Sequence, residues 1–204
     1  MELKSALKEL RKTDKRNFEQ SFDLIINFKG IDLRRDGIST IANIPYPFKD
    51  KKVCGFLTKR SELIKTITQP DFVKYKDKKI LKNMVKEYDF FIGVSQLMPA
   101  VATNFGKVLG PSGRMPTPQL GIIVKDDEES IKQALDKIKS TIRIKLKETS
   151  FKVSVGKENM KDEEIAENIN SIYNSLVSAL PNKKENVKSV MLKLTMSKPI
   201  RAEI

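Results

Sequence analysis

The order in which two kinds of periodicity follow one another is the strongest constraint on this chain. Leu3, Ala6, Leu7 and Leu10 recur at helical spacing before the basic stretch Lys12 to Arg16. Phe22 to Lys29 reads as a strand ending at Gly30, and Ile38 to Ile44 as another ending at Pro45-Tyr-Pro47. The rhythm then changes. Strands are expected over Val53 to Leu57, Asp89 to Val94, Gly121 to Val124 and Thr141 to Leu146, with helices near Ser61 to Ile67, Lys78 to Tyr88, Leu97 to Phe105 and Glu128 to Ser140. Such alternation predicts an α/β layer with a partly parallel sheet. The last quarter returns to the opening style. Phe151 to Val155 alternates and ends at Gly156-Lys157. Ile165, Ile169, Ile172, Leu176 and Leu180 form one helical stripe, opened by Asp162, Glu163 and Glu164, whose charges suit a helix N-terminus. Val187 to Thr195 then sets Val190, Leu192 and Leu194 against Lys188, Met191 and Lys193, a terminal strand with one face in the core. Like pieces at both ends of a different middle predict an insertion. Residues 1–49 and 148–204 are expected to form a discontinuous first domain, interrupted by a second domain of residues 50–147.

One segment resists both periodicities. Phe105-Gly-Lys-Val-Leu-Gly-Pro-Ser-Gly-Arg-Met-Pro-Thr-Pro118 holds Gly106, Gly110 and Gly113 together with Pro111, Pro116 and Pro118. Glycine admits backbone angles other residues avoid, and proline removes amide donors, so the run reads as a shaped, cationic loop with no regular element. As a phosphate cradle it fails on spacing. Neither the Gly-x-x-x-x-Gly-Lys-Ser/Thr string nor Gly-x-Gly-x-x-Gly occurs, and a nucleotide-handling enzyme is disfavoured accordingly.

Charge and absences narrow the classes further. Lys and Arg number 39 against 26 acids, a net charge of +13, the electrostatic footprint of a nucleic-acid binder. The excess is uneven: the net is +3 over residues 1–49, +9 over 50–147 and +1 over 148–204. The densest patch is Lys74, Lys76, Lys78, Lys79, Lys82 and Lys86, which reads either as a solvated helix face or as a surface that tracks phosphates without reading sequence. With no histidine there is no Ser-His-Asp or Cys-His nucleophile, and one cysteine allows no intrachain disulfide and no cysteine zinc cluster. Cys54 reads as a small apolar strand residue. The run Asp126 to Glu129 reads as the acidic first turn of a helix in preference to a metal site. No catalysis, metal or cofactor is expected. No apolar run approaches the roughly 18 residues a spanning helix needs, so no membrane is expected as a partner. The mixed charges of Met1 to Arg16 are unlike a secretory signal, and a cytoplasmic location is expected.

Four separated segments carry a resemblance. They are Asn27-Phe-Lys-Gly-Ile-Asp-Leu33, the Gly-Pro run from Gly106 to Pro118, Val155-Gly-Lys-Glu-Asn-Met-Lys-Asp-Glu-Glu-Ile-Ala-Glu-Asn168, and Val187-Lys-Ser-Val-Met-Leu-Lys-Leu-Thr-Met-Ser-Lys-Pro-Ile-Arg201. In this order, and over essentially the whole chain, the sequence resembles the universal large-subunit ribosomal protein family L-one, in its archaeal style. The resemblance implies an α/β (α+β) protein: a discontinuous domain with an antiparallel sheet and two helices, interrupted by a Rossmann-like three-layer domain. It implies a single copy in the ribosome that binds large-subunit rRNA, forms the mobile side stalk and contacts exit-site tRNA. It also implies binding to the protein's own mRNA and repression of its translation. An assembly factor of the same family is the alternative, disfavoured by the absence of a long charged tail.

The resemblance further implies where RNA is held: the sheet edge at which the first strand meets the C-terminal strand. It assigns RNA contacts to Phe28, Lys29, Gly156, Lys157, Thr195, Met196, Ser197, Lys198 and Arg201. In chemical terms Thr195 offers a hydroxyl to a ribose 2′-OH, Phe28 and Met196 an apolar platform, and Lys157, Lys198 and Arg201 charge for phosphates. Read without the resemblance, Phe28 and Met196 are better explained as strand residues packed in a core. Lys74, Lys76, Lys78, Lys79, Lys82, Lys107 and Arg114 form a secondary basic surface. Two departures stand out. Ser197 occupies a position where the family usually has glycine, which predicts an obstructed backbone approach or a different turn, and Ser112 stands where many relatives carry a basic residue.

Overall fold

A computed structural model of the chain describes residues 2–13, 16–32, 37–146 and 148–203, and for Val73, Lys76 and Lys78 the backbone without the side chain. In chain order the elements are α1 (Leu3–Arg11), β1 (Ser21–Phe28), β2 (Ser39–Asn43), β3 (Val53–Phe56), β4 (Lys65–Ile67), α2 (Lys78–Glu87), β5 (Phe90–Val94) and α3 (Met98–Ser112). They continue with β6 (Ile122–Ile123), α4 (Glu128–Lys139), β7 (Thr141–Lys145), β8 (Ser150–Lys157), α5 (Asp162–Ala179), β9 (Val187–Leu194) and β10 (Ile200–Ala202). The chain divides into two units, Met1–Phe48 with Ser140–Ile204, and Lys49–Lys139.

In the discontinuous unit a four-stranded antiparallel sheet runs in the order β10-β9-β1-β8. Period-two alternation sends Phe22, Leu24, Ile26 and Phe28 of β1, with Val190, Leu192 and Leu194 of β9, to one face. There they meet Ala6, Leu7 and Leu10 of α1 and the stripe Ile165, Ile169, Ile172 and Leu176 of α5 in one core. Burying these side chains is the main source of the unit's stability. Among the described residues the helices α1 and α5 pack on that face, and the residues of the opposite face are half-exposed or exposed.

Strand β7 corrects the expected domain boundary. Thr141 to Leu146 was expected in the inserted block, yet β7 pairs antiparallel with β2, from Ser39 opposite Lys145 to Asn43 opposite Thr141. Ile144 and Leu146 join the same core as Ile38 and Ala42, so the return crossing lies at Lys139 and Ser140. Lys147, where that crossing was expected, lies outside the described residues, as does Leu33 of the first resembling segment.

The inserted unit is a parallel sheet in the order β4-β3-β5-β6. Phe56, Phe72, Phe91 and Phe105 form its aromatic centre, Phe56 stacked on Phe91 and edge-on to Phe72. Cys54 is buried among them, and burial pushes its thiol up to about 12. Two expectations fail here. The helix expected near Ser61 to Ile67 is instead strand β4, followed by a 3-10 segment at Gln69–Lys76. The β-branched pair Thr66 and Ile67 suits a ladder with β3, and Pro70 opens the tighter turn.

The second failure is the Gly-Pro run. Helix α3 continues through Gly106, Gly110 and Pro111 to Ser112, because Val101, Phe105 and Leu109 keep a helical stripe in the aromatic core. Pro111 falls in the last turn, where its missing donor costs one bond, and Gly113 ends the helix with φ of +72°, a left-handed cap. A Cβ added at Gly106 or Gly110 meets nothing within 4 Å. Gly106→Ala is therefore expected to stabilise the protein by about 0.5–1 kcal/mol by reducing the freedom of the unfolded chain, seen as a higher melting temperature.

Candidate nucleic-acid interface

Strand β1 lies between β9 and β8, so it is not a sheet edge. What the three strands share is an end. The start of β1 meets the finish of β8 and of β9, with Ser21 opposite Lys157 and Phe22 opposite both Gly156 and Leu194. The Ser21 amide donates to Thr195 Oγ1 at 3.1 Å, and the Thr195 amide donates to the Ser21 carbonyl at 3.1 Å, extending the β1–β9 ladder by one residue. Thr195, Met196, Ser197, Lys198 and Lys157 therefore gather at one end of the sheet.

Phe28 and Lys29 do not join them. Six residues separate Phe28 from Phe22, which places them about 20 Å away at the far end of the strand. Phe28 has the same parity as Phe22, Leu24 and Ile26, and at 5% exposure it is a core residue under the helices, not a platform. Lys29 is exposed at that far end, where its amide donates to the Asn186 carbonyl. Gly156 is also turned inward: a Cβ there would lie 3.0 Å from Ile165 Cγ1 and 3.3 Å from Met160 Sδ, so glycine lets β8 approach α5.

Sequence reasoning missed Phe18. It lies two residues before Gln20, which bonds the Met196 amide, and it is 50% exposed; Met196 is 61% exposed. Both are large apolar side chains held in water at the end where the Thr195 turn lies. No periodicity marks Phe18, because it falls in the irregular chain before β1.

The face opposite the helices was also missed as a surface. The registers set Asp23 beside Lys193 and Ser154, Ile25 beside Met191 and Lys152, Met191 beside Arg201, and Asn27 beside Ser189. Ser154 Oγ donates to Asp23 Oδ1 at 2.7 Å, and Asn27 Nδ2 donates to Ser189 Oγ at 3.0 Å. Lys152 and Lys193 line a hollow on this face with Asp23, Ile25, Ser154 and Pro199, and the pairing of Arg201 with Met191 sets a third cation on the same face. Arg201 belongs here through β10, a strand the sequence pattern did not reveal. Lys157 Nζ lies 3.1 Å from Glu19 Oε2, both partly exposed.

Ser197 neither blocks the turn nor strains it. Its Oγ accepts from the Leu194 amide at 2.8 Å, and its own amide donates to the Leu194 carbonyl at 3.1 Å. Among the described residues Lys183 is the non-glycine with positive φ, so the Ser197 turn does not demand glycine geometry.

In the inserted unit Lys79, Lys82 and Lys86 project from α2 and Lys107 from α3, all exposed. Lys74 is paired with Asp71 at 3.3 Å. The side chains of Lys76 and Lys78 lie outside the described residues. Arg114 is no surface cation. Its guanidinium donates to the carbonyls of Val85 and Tyr88, capping the end of α2. Lys51 is half-buried over the Phe90 ring and donates to the carbonyls of Ile138 and Lys139; burial lowers its ammonium to about 8.

The crevice beyond the carboxyl ends of a parallel sheet is where such folds hold phosphates. Here Asp126 Oδ2 accepts from the amides of Thr58 and Lys59, each at 2.9 Å, and from Thr58 Oγ1. An internal carboxylate takes the donors an anion would need. Glu128 and Glu129 form the acidic first turn of α4.

No helix among the described residues is long and apolar enough to cross a membrane. The profile of the Ribosomal protein L1p/L10e family matches residues 10–198. The chain is 34% identical to the large ribosomal subunit protein uL1 of Nanoarchaeum equitans, over 96% of each chain. It is 35% identical to that of Methanothermococcus thermolithotrophicus, over 97% of this chain and 96% of the relative. To that of Pyrococcus horikoshii it is 31% identical, over 97% and 94%. All three of these relatives are proteins of the large ribosomal subunit. By profile, by coverage of nearly its whole length and by its four separated motifs, the chain belongs to the Ribosomal protein L1p/L10e family.

Proposed function

We propose that this ribosomal protein holds a folded segment of large-subunit rRNA against the Thr195 end of its antiparallel sheet and the face opposite the helices, and so forms the mobile side stalk of the large subunit. The observation that carries the reading is the convergence of exposed Phe18 and Met196, the Thr195 hydroxyl and the cations Lys157, Lys193, Lys198 and Arg201 in one unit. Apolar side chains in water suit stacking on splayed bases, hydroxyls suit ribose 2′-OH groups, and the lysines suit phosphates. The exposed lysines of α2 add affinity that does not depend on sequence. Contact with exit-site tRNA and repression of the protein's own mRNA complete the proposal and rest on the family resemblance.

The test is a binding titration against an rRNA stalk fragment and an unrelated duplex across a salt series. Thr195→Ala is expected to erase the preference for the stalk fragment. Lys79→Ala with Lys82→Ala is expected to weaken both RNAs alike and to flatten the salt slope by about one to two. Equal loss of both RNAs on the Thr195 change would refute the placement of specificity at this end.

A further inference from the structure

Gln20 is a buried polar residue at the proposed RNA end, 2% exposed, and two segments hang from it. Its Oε1 accepts from the Met196 amide at 3.2 Å. Its carbonyl accepts from the Glu158 amide at 2.9 Å, and its amide donates to Glu158 Oε2 at 3.3 Å. Arg11 holds the other side of the same loop: Nη1 donates to the Glu158 carbonyl at 2.6 Å, Nη2 to the Met160 carbonyl at 2.5 Å, and Nε to Asp162 Oδ1 at 2.5 Å. The guanidinium also lies 5.4 Å from the centre of the Phe22 ring. A continuous chain of bonds therefore runs from α1 through the loop after β8 to the turn after β9. Thr195 and Met196 sit on that turn, and Lys157 begins that loop.

We propose that Gln20 and Arg11 are positioning residues for RNA recognition, which hold the Thr195-Met196-Ser197 turn and the Lys157 to Met160 loop in one geometry before RNA arrives. The inference rests on the function proposed above. Neither residue offers RNA its main polar atoms. The Gln20 acceptor is committed to a backbone amide, and all three Arg11 donor nitrogens are committed to protein oxygens. Their effect on RNA comes through the segments they fix. Without the Gln20 tie the Met196 amide loses its partner and the turn keeps only the bonds at Thr195 and Ser197, so it samples more conformers and the fraction competent to bind falls. Preorganisation of this kind raises affinity by removing the cost of ordering the surface on binding.

Both residues can be changed without altering charge, which separates positioning from phosphate contact. Gln20→Leu removes the acceptor at similar size, and Arg11→Lys keeps the cation but cannot form the three-pronged set. In the full chain each variant is expected to weaken binding of the rRNA stalk fragment about tenfold, with the affinity for an unrelated duplex and the salt slope unchanged. In Gln20→Leu the Met196 amide is expected to exchange with solvent faster in the free protein. Stalk affinity within twofold of the parent, a slope reduced by about one, or equal loss on both RNAs overturns the proposal. If Gln20→Leu does not fold, Arg11→Lys decides alone. A parent protein that shows no preference for the stalk fragment defeats the proposed function itself, a result distinct from either variant failing to differ from its parent.

Discussion

Asn168→Ala is expected to remove about 4 kcal/mol of stability, a large share of the roughly 5–15 kcal/mol that holds a typical domain folded. Asn168 sits on α5 with no exposed surface. Its Oδ1 accepts from the Tyr46 amide at 3.0 Å, and its Nδ2 donates to the carbonyls of Tyr46 at 2.9 Å and Val155 at 3.0 Å. One side chain thus ties Pro45-Tyr46-Pro47, the segment just before the chain leaves the unit, to β8 and to α5. Alanine leaves one amide and two carbonyls without that partner; the bond to the Val155 carbonyl is buried and the two to Tyr46 are part-buried, so the loss runs at or somewhat above that of three average bonds. Denaturant unfolding of the full chain measures it. Asn168→Asp sharpens the test. The carboxylate keeps an acceptor for the Tyr46 amide but faces two carbonyls, so its folded pKa must rise above the ordinary value near 3.9. A raised folded pKa gives stability that is present at low pH and lost as pH rises through that pKa. The aspartate variant is therefore expected to recover part of its deficit on acidification, while the alanine variant gains nothing from that source.

Much of this architecture was legible because most elements announce themselves locally. The alternation in β1 and β9 and the stripe on α5 each specify one buried face. What could not be read was pairing between distant segments. Strand β7 carries an ordinary strand pattern, but nothing within it says that its partner is β2, about a hundred residues earlier. Strand β4 is three residues long and owes its existence to the ladder with β3. The Gly-Pro run was misread for a different reason. Its composition argues for a loop, while Val101, Phe105 and Leu109 continue a spacing of four, and burial of that stripe outweighed the intrinsic cost of two glycines and one terminal proline.

The same distinction applies to the candidate site. Phe28 was assigned to an RNA surface through the resemblance, although counting parity from Phe22 already places it with Leu24 and Ile26 on the buried face. Thr195, Met196 and Lys157 were located through motifs, and the structure brings them to one end of the sheet. Phe18, Gln20 and Arg11 had no such mark. A residue in irregular chain, a glutamine and an arginine look alike in sequence whether they face water or knit three segments together; only the tertiary fold distinguishes them.

Phe18→Ala combined with Met196→Ala is expected to lower affinity for the rRNA stalk fragment by about 30-fold or more, with little change for an unrelated duplex. Stacking of a base on one such side chain is worth about 1–3 kcal/mol, and two are removed. Neither side chain is charged, so the salt slope should be unchanged, in contrast to the flattening expected when lysines are removed. Both are at least half exposed, at 50% and 61%, so each replacement should shift stability by no more than about 0.5 kcal/mol. Phe28→Ala is the counterpart. It empties a core position and is expected to cost about 3–5 kcal/mol of stability, with any loss of RNA binding following from unfolding. The single variants add a further distinction. If Phe18 and Met196 flank the same nucleotide, the double change will differ from the sum of the two by more than about 0.5 kcal/mol; if they hold separate nucleotides, the effects will add. A double variant that keeps the parent's preference for the stalk fragment would show that the exposed apolar pair does not face RNA.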